Sequence, residues 1–257
     1  MGHSVYDLCW QRDRLYVAEL HHNRVTCFDN DLNPVSRKEN IPTPHGLKVD
    51  TDGCLYVATY RYGRILKFDP EGKEILHWDQ TLVAERVIEK PLSVDIDSQG
   101  KLWFADYGTR TILRVDTAGN PLMVWPGEVA HREKFLPHGV TVDNSDRIWV
   151  PDRAGHGLKI FTPQTEDMVT VDGLSPNFDP LAIRFLHDHL ILVPDYSSRK
   201  LWLLQDGSVA GTFGDGEPES PCVTNLAITA EGFGFLAEER SNRIQKVDLT
   251  PLFNLGS

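Results

Sequence analysis

Cysteine is scarce and unpatterned: Cys9, Cys27, Cys54 and Cys222 form no Cys-x-x-Cys pair, which argues against a zinc knuckle or a disulfide framework. Three of the four fall inside runs that read as strands, so buried structural thiols in a reducing compartment are expected. No window approaches eighteen consecutive apolar residues, and the N-terminus, MGHSVYDLCWQRDR, has no basic start leading into an apolar run. A soluble, cytoplasmic protein with no membrane partner is the expectation. Basic charge is also in deficit. Lys plus Arg number 26 against 37 Asp plus Glu, a formal charge of −11, which disfavours nucleic acid as a partner. There is no Gly-x-Ser-x-Gly elbow, phosphate-binding glycine loop, His-Glu-x-x-His or EF-hand spacing, and no Asn-x-Ser/Thr acceptor. The common hydrolase, nucleotide and zinc-protease signatures are therefore missing.

What is present is a repeat. The segment TPHGLKVDTDGCLYVATYRYGRILKFDPEGKEI at 43–75 recurs as KPLSVDIDSQGKLWFADYGTRTILRVDTAGNPL at 90–122 and as LPHGVTVDNSDRIWVPDRAGHGLKIFTPQ at 136–164, with weaker copies beginning near residues 4, 179 and 223. A large residue in the second run marks each copy: Tyr16, Tyr56, Trp103, Trp149, Leu192 and Phe235, at spacings of 40, 47, 46, 43 and 43. Units of this period, rich in Val, Ile, Tyr and Trp and punctuated by Asp-Gly turns, suit the blades of a β-propeller and fit helical repeats poorly. One such sheet cannot bury both faces, so blades pack on one another around an axis. The expected fold is all-β, a six-bladed β-propeller of four-stranded antiparallel blades in one domain over 1–257. The expected blades are 4–40, 41–88, 89–134, 135–177, 178–220 and 221–257. The last unit runs out soon after RIQKV, so its blade is expected to be three-stranded or completed by residues 251–257.

The pattern P-x-G-L/V-x-V-D, then D-G-x-L-Y-V-A, then x-R-I-x-K/R-F/V resembles the NHL repeat and spans nearly the whole chain. WD40 repeats have a similar period, but Trp78-Asp79 is the single Trp-Asp here.

The start of the first strand and the end of the second lie on one face of a blade, because the two run antiparallel. Two rings of residues follow. The strand-start ring reads Val5 (or Ser4), His45, Leu92, His138, Leu181 and Thr224, in which His45 and His138 both sit in Pro-His-Gly. Neutral imidazoles at a channel mouth can ligate one divalent metal, zinc being favoured, with other donors drawn from Thr224, Asn225 or nearby carboxylates. The alternative is a hydrogen bond from each ring to a loop carbonyl. The second ring reads Glu19, Thr59, Asp106, Asp152, Asp195 and Glu238. Its carboxylates either accept backbone N–H groups at the turn into the third strand or form an acidic collar for a cation or amine. The recurrent Arg24, Arg64 and Arg243 read as packing between blades. The acidic loop FGDGEPES at 213–220 reads as a solvated connection rather than a calcium loop.

A Pro-His-Gly strand start followed by a hydrophobic strand and DTDG, as in residues 44–53, is similar to the peptidyl-α-hydroxyglycine amidating lyases, and this resemblance implies zinc held by three such histidines. His45 and His138 match two of them, and Thr224 stands in the third place. The same resemblance implies a catalytic tyrosine at Tyr107 and an arginine where this chain has Leu20. The chain also resembles, more distantly, gluconolactonase and regucalcin-like propellers, a resemblance that implies Asn and Asp metal ligands at the same strand starts.

The loops after the second strands differ most between blades: LHHN, YRYG, YGTR, RAGH, YSSR and ERSN. Loops on a rigid scaffold carry specificity. The first functional expectation is a binding module for a protein, peptide, glycan or small polar ligand, with His22, Tyr60, Tyr107, Asp152, Arg153, His156, Tyr196 and Glu238 as binding residues. The second is a metal-dependent lyase or hydrolase with His45 and His138 as ligands, Tyr107 as acid/base and Arg153 as oxyanion or carboxylate partner.

Overall fold

The computed structural model describes residues 5–79, 88–126, 134–171, 174–214, 216–217, 222–238 and 241–253. Ser4, Asp215, residues 218–220, Glu239, Arg240 and residues 254–257 lie outside these, and with them parts of the expected 213–220 and 239–242 loops.

Six antiparallel sheets follow one another along the chain. Blade 1 comprises β1 (Val5–Gln11), β2 (Arg14–Glu19), β3 (Arg24–Phe28) and β4 (Pro34–Lys38). Blade 2 is β5 (Pro44–Val49), β6 (Leu55–Thr59), β7 (Arg64–Phe68) and β8 (Glu74–Trp78). Blade 3 is β9 (Pro91–Ile96), β10 (Leu102–Asp106), β11 (Thr111–Val115) and β12 (Pro121–Trp125). Blade 4 is β13 (Thr141–Val142), β14 (Ile148–Asp152), β15 (Gly157–Thr162) and β16 (Asp167–Val171). Blade 5 is β17 (Arg184–His187), β18 (Leu190–Asp195), β19 (Lys200–Gln205) and β20 (Ser208–Phe213). Blade 6 has β21 (Val223–Ile228), β22 (Phe233–Glu238) and β23 (Arg243–Asp248), then the short helix α1 (Thr250–Phe253). The architecture is the expected all-β six-bladed propeller.

Burial grades outward as the repeat pattern requires. The second strands β6, β10, β14 and β18 are buried at every residue, whereas the outermost β4 and β20 are almost wholly exposed. The turn between first and second strands is held by an aspartate. Asp50, Asp97 and Asp143 each accept backbone N–H groups two and four residues ahead, at 2.8–3.0 Å. Of the cysteines, Cys9 and Cys27 lie in strands, Cys54 and Cys222 each precede one, and none of the four is in a disulfide.

Six apolar clusters fill the six interfaces between neighbouring blades. The ring closes between blades 6 and 1 by face packing: Val5, Leu8, Leu15 and Val17 meet Ala227, Phe235 and Ala237. Trp10 stacks on Phe235 with centroids 5.3 Å apart, and Lys246 of blade 6 bonds the Asn30 carbonyl and side chain of blade 1 at 2.9 Å. Among the described residues blade 6 stays three-stranded, because the chain turns into α1 where a fourth strand would begin, and Leu252 and Phe253 pack onto the blade 5–blade 6 core.

Candidate functional site

All six residues of the second ring end their second strands, so the expected positions are correct. The strand-start ring needs one change. Val5 pairs with Glu19 as Pro44 pairs with Thr59, which puts Tyr6, not Val5, in the place of His45. The observed ring is Tyr6, His45, Leu92, His138, Leu181 and Thr224; the residue beneath it is Asp7 in blade 1 and Asn225 in blade 6.

These residues line a cavity of about 250 Å³ at the channel mouth, completed by Arg153, Arg184 and Tyr196. His45 and His138 come together there with ring centroids 5.9 Å apart, edge to face, and Tyr6 and Tyr60 flank His45 at 4.9 and 5.8 Å. Each histidine is tied to the next blade. His45 Nδ1 lies 2.7 Å from the Leu92 carbonyl and His138 Nδ1 lies 2.8 Å from the Leu181 carbonyl. A carbonyl only accepts, so Nδ1 carries the proton and Nε2 is the acceptor nitrogen of the neutral ring. Burial and the neighbouring His138 push the pKa of His45 down to about 3. Burial, with Arg153 nearby, lowers that of His138 to about 4. Both rings are neutral at pH 7.

Gly46 permits the tie. A Cβ on it would lie 2.6 Å from the Leu92 carbonyl oxygen and from the Ser93 Cα, so only glycine lets the two inner strands approach this closely.

Arg153 leaves β14 and turns its Nε and Nη2 onto both oxygens of Asp179, each at 2.5 Å, with the Tyr196 ring centroid 6.0 Å from its guanidinium carbon. Despite the cost of burial, Asp179 holds the guanidinium pKa above its ordinary value. The same arginine borders an open outer pocket of about 390 Å³ with Tyr107, His156 and Asn177. Beneath the mouth, Asp7 accepts from Arg184, from Asn225 and from the backbone N–H groups of Leu8 and Leu47. Burial raises the Asp7 pKa although Arg184 opposes it.

The remaining expected binding residues divide. Tyr107 and His156 belong to the outer pocket, Tyr196 to the inner cavity, and Tyr60 braces His45. His22 is exposed on the rim, 3.4 Å from Glu19. Asp152 and Glu238 are buried and accept hydrogen bonds within their own blades, with Asp152 Oδ2 left without a partner among the described residues. Asp152 Oδ1 accepts the N–H groups of Leu136 and Ala154, as Asp106 accepts those of Glu89, Lys90, Gly108 and Thr109. Glu238 takes Arg243 and Ser241. The packing role expected for Arg24 and Arg243 is thus corrected: each binds the glutamate opposite it in its own blade.

The donor set does not fit zinc. Two imidazoles are present, the third histidine's place holds Thr224, whose hydroxyl points at the Ala237 carbonyl at 3.5 Å, and Asp7 is engaged by Arg184 and Asn225. Among the described residues no three His, Cys, Asp or Glu side chains converge, whereas a catalytic zinc takes three protein ligands.

Sequence reasoning missed Asp179, Arg184 and Asp7. Each lies in a segment whose repeat position is unremarkable, and each acquires its role from a partner on another strand or blade.

Residues 7–89 match the SMP-30/Gluconolactonase/LRE-like region. That stretch is blades 1 and 2 with the connection into blade 3. No curated protein matches the chain significantly. Among solved structures, a catalytically inactive His-to-Ala variant of virginiamycin B lyase from Staphylococcus aureus, with quinupristin, is 17% identical and superposes with a TM-score of 0.72, covering 94% of this chain and 79% of that one. A streptogramin B lyase is 15% identical with a TM-score of 0.71, covering 97% of this chain and 94% of that one. A provisionally assigned gluconolactonase is 15% identical with a TM-score of 0.75, covering 97% and 89%. At these identities the likeness establishes the six-bladed propeller. The sequence resemblance put NHL repeats first and gluconolactonases further off; the family model aligns blades 1 and 2 with the latter.

Proposed function

We propose that the strand-start cavity cleaves an ester or lactone bond in a small, uncharged polar substrate, by general acid–base chemistry at His45 and His138. The observation that carries this reading is the pair of neutral imidazoles, each with Nδ1–H committed to a carbonyl of the next blade and Nε2 left as acceptor. A base fixed in one tautomer is positioned to take a proton without reorganising. That proton comes from an attacking water in a hydrolysis, or, in an elimination, from the carbon adjacent to the one that bears the leaving oxygen, so that a C=C bond forms as the C–O bond breaks. Arg153 faces the negative charge that develops on oxygen, and Asp179 holds its guanidinium in place. The lining suits a neutral substrate, because both arginines of the cavity already carry a carboxylate partner. The similar structures named as virginiamycin B and streptogramin B lyases and as a gluconolactonase support hydrolysis or elimination as the reaction class.

The test is turnover of a panel of lactones and aryl esters by the wild type, His45→Ala, His138→Ala and Arg153→Met. Loss of about 100-fold or more in kcat for each variant is expected. Wild-type turnover by both histidine variants would overturn the reading. Product analysis separates hydrolysis from elimination.

A second reading, a surface that captures a protein, peptide or glycan in the manner of NHL-type propellers, draws on the exposure of Tyr62 (49%) and Tyr196 (39%) on this face. Serine at both positions should abolish partner capture without lowering Tm if it holds.

A further inference from the structure

Three blades place an arginine at the start of the third strand, and its register partner closes the second strand. Arg24 stands opposite Glu19, Arg243 opposite Glu238, and Arg64 opposite Thr59. In blades 1 and 6 the same edge of the guanidinium is used. Nε and Nη2 donate to the two oxygens of Glu19 at 2.5 and 2.8 Å, and to those of Glu238 at 2.9 and 3.0 Å. The other three blades carry Asp106, Asp152 and Asp195 at the second-strand end, and there the partner is Thr111, Gly157 or Lys200. Arginine and glutamate thus occur together, and blade 2 keeps the arginine while giving up the acid.

Thr59 cannot substitute. It is fully buried, and its hydroxyl donates to the Arg64 carbonyl at 3.3 Å. Arg64 Nε is buried with no hydrogen-bond partner among the described residues, and the guanidinium's one ring contact is Tyr62, with its centroid 5.6 Å away. A buried N–H without an acceptor is a cost that folded proteins rarely leave standing. The planar Nε–Nη2 edge matches a carboxylate in two parallel bonds, as it does twice in this same molecule. Thr59 also immediately precedes Tyr60, the ring beside His45, so the edge belongs to the strand-start face.

We propose that Arg64 is a carboxylate-binding site, in which a small-molecule carboxylate takes the place that Glu19 and Glu238 fill in blades 1 and 6, with Tyr62 alongside. The site is separate from the ester chemistry at His45 and His138 and does not depend on it.

The experiment follows the arginine Nε–H resonances by ¹⁵N-correlated NMR during titration with sodium acetate, with sodium chloride at equal ionic strength as control. Arg64→Lys identifies the Arg64 signal. In the wild type that signal should shift saturably with acetate and not with chloride. Thr59→Glu supplies the missing acid internally and should weaken the acetate response at least about tenfold. Glu19→Thr makes the reciprocal change, so the Arg24 signal should become acetate-sensitive; this variant keeps the test intact if Thr59→Glu misfolds. An Arg64 signal that ignores acetate, responds equally to chloride, or responds undiminished in a folded Thr59→Glu protein overturns the proposal, as does an Arg24 signal that stays insensitive in Glu19→Thr.

Discussion

The imidazoles of His45 and His138 meet edge to face 5.9 Å apart, although 93 positions and a whole blade separate them in the chain. Blade 3, which lies between them, contributes the carbonyl of Leu92 that holds the first ring; blade 5 contributes that of Leu181 for the second. The pair is therefore a property of the closed ring of blades.

This buried neutrality fixes a pH dependence. An unfolded imidazole titrates near about 6.5, while the folded rings titrate at about 3 and about 4. Between pH 6.5 and those values the unfolded chain binds more protons, so stability is fully present above pH 6.5 and falls as the pH drops through the window. Urea unfolding at pH 7 and pH 4.5 should show the wild type losing on the order of 2 kcal/mol per histidine more than a His45→Gln/His138→Gln protein. Equal losses in the two proteins would refute buried neutral histidines.

Gly46→Ala should break the coupling between blades 2 and 3. Its methyl would have to enter backbone atoms of Leu92 and Ser93 at 2.6 Å, and backbone cannot yield as a side chain can. A loss of about 1–3 kcal/mol is expected, together with a fall in ester turnover, because the His45–Leu92 tie is displaced. A variant that matches the wild type in Tm and rate would show that the strands tolerate separation.

Asp179→Asn tests whether Arg153 is positioned or merely present. The guanidinium keeps its charge but loses one ionic partner of a pair that is only partly buried, so the stability change should stay within about 1–2 kcal/mol. Catalysis should suffer more, with kcat down about tenfold and KM little changed. A large Tm loss with intact kcat would assign the pair to the fold alone.

With three strands in blade 6 among the described residues, ring closure places unusual weight on Phe235, which is fully buried against Trp10 at the blade 6–blade 1 interface. Phe235→Ala should cost about 3–5 kcal/mol in chemical denaturation. If the cost is under about 1 kcal/mol, closure must be maintained elsewhere.

Zinc removal offers a further check on the cavity. With two imidazoles and Thr224 in the third position, dialysis against a chelator should leave ester turnover unchanged, and zinc should be substoichiometric by elemental analysis. Stoichiometric zinc that disappears in the His45→Ala/His138→Ala protein would reverse the conclusion drawn from the donor set.

Much of this architecture was legible in the residues. The marker residue falls three positions before the end of every second strand, from Tyr16–Glu19 to Phe235–Glu238, because strand pleat, Asp-centred turn and burial are local and repeat with the unit. Blade number, strand order and the membership of the second ring follow from that repetition. The single slip in the other ring, Tyr6 for Val5, arose where β1 carries a register shift between Val5 and Leu8, which spacing alone does not reveal.

Which side chains meet was decided by tertiary structure. Arg184 reaches Asp7 across 177 positions, Arg153 finds Asp179 on the connection into blade 5, and Arg64 Nε finds no acceptor among the described residues where Arg24 and Arg243 find a glutamate. A repeat encodes the shape of each blade, and every blade can be read by itself. The cavity exists only when six of them close, since its walls are first strands that are neighbours in space and some forty residues apart in sequence.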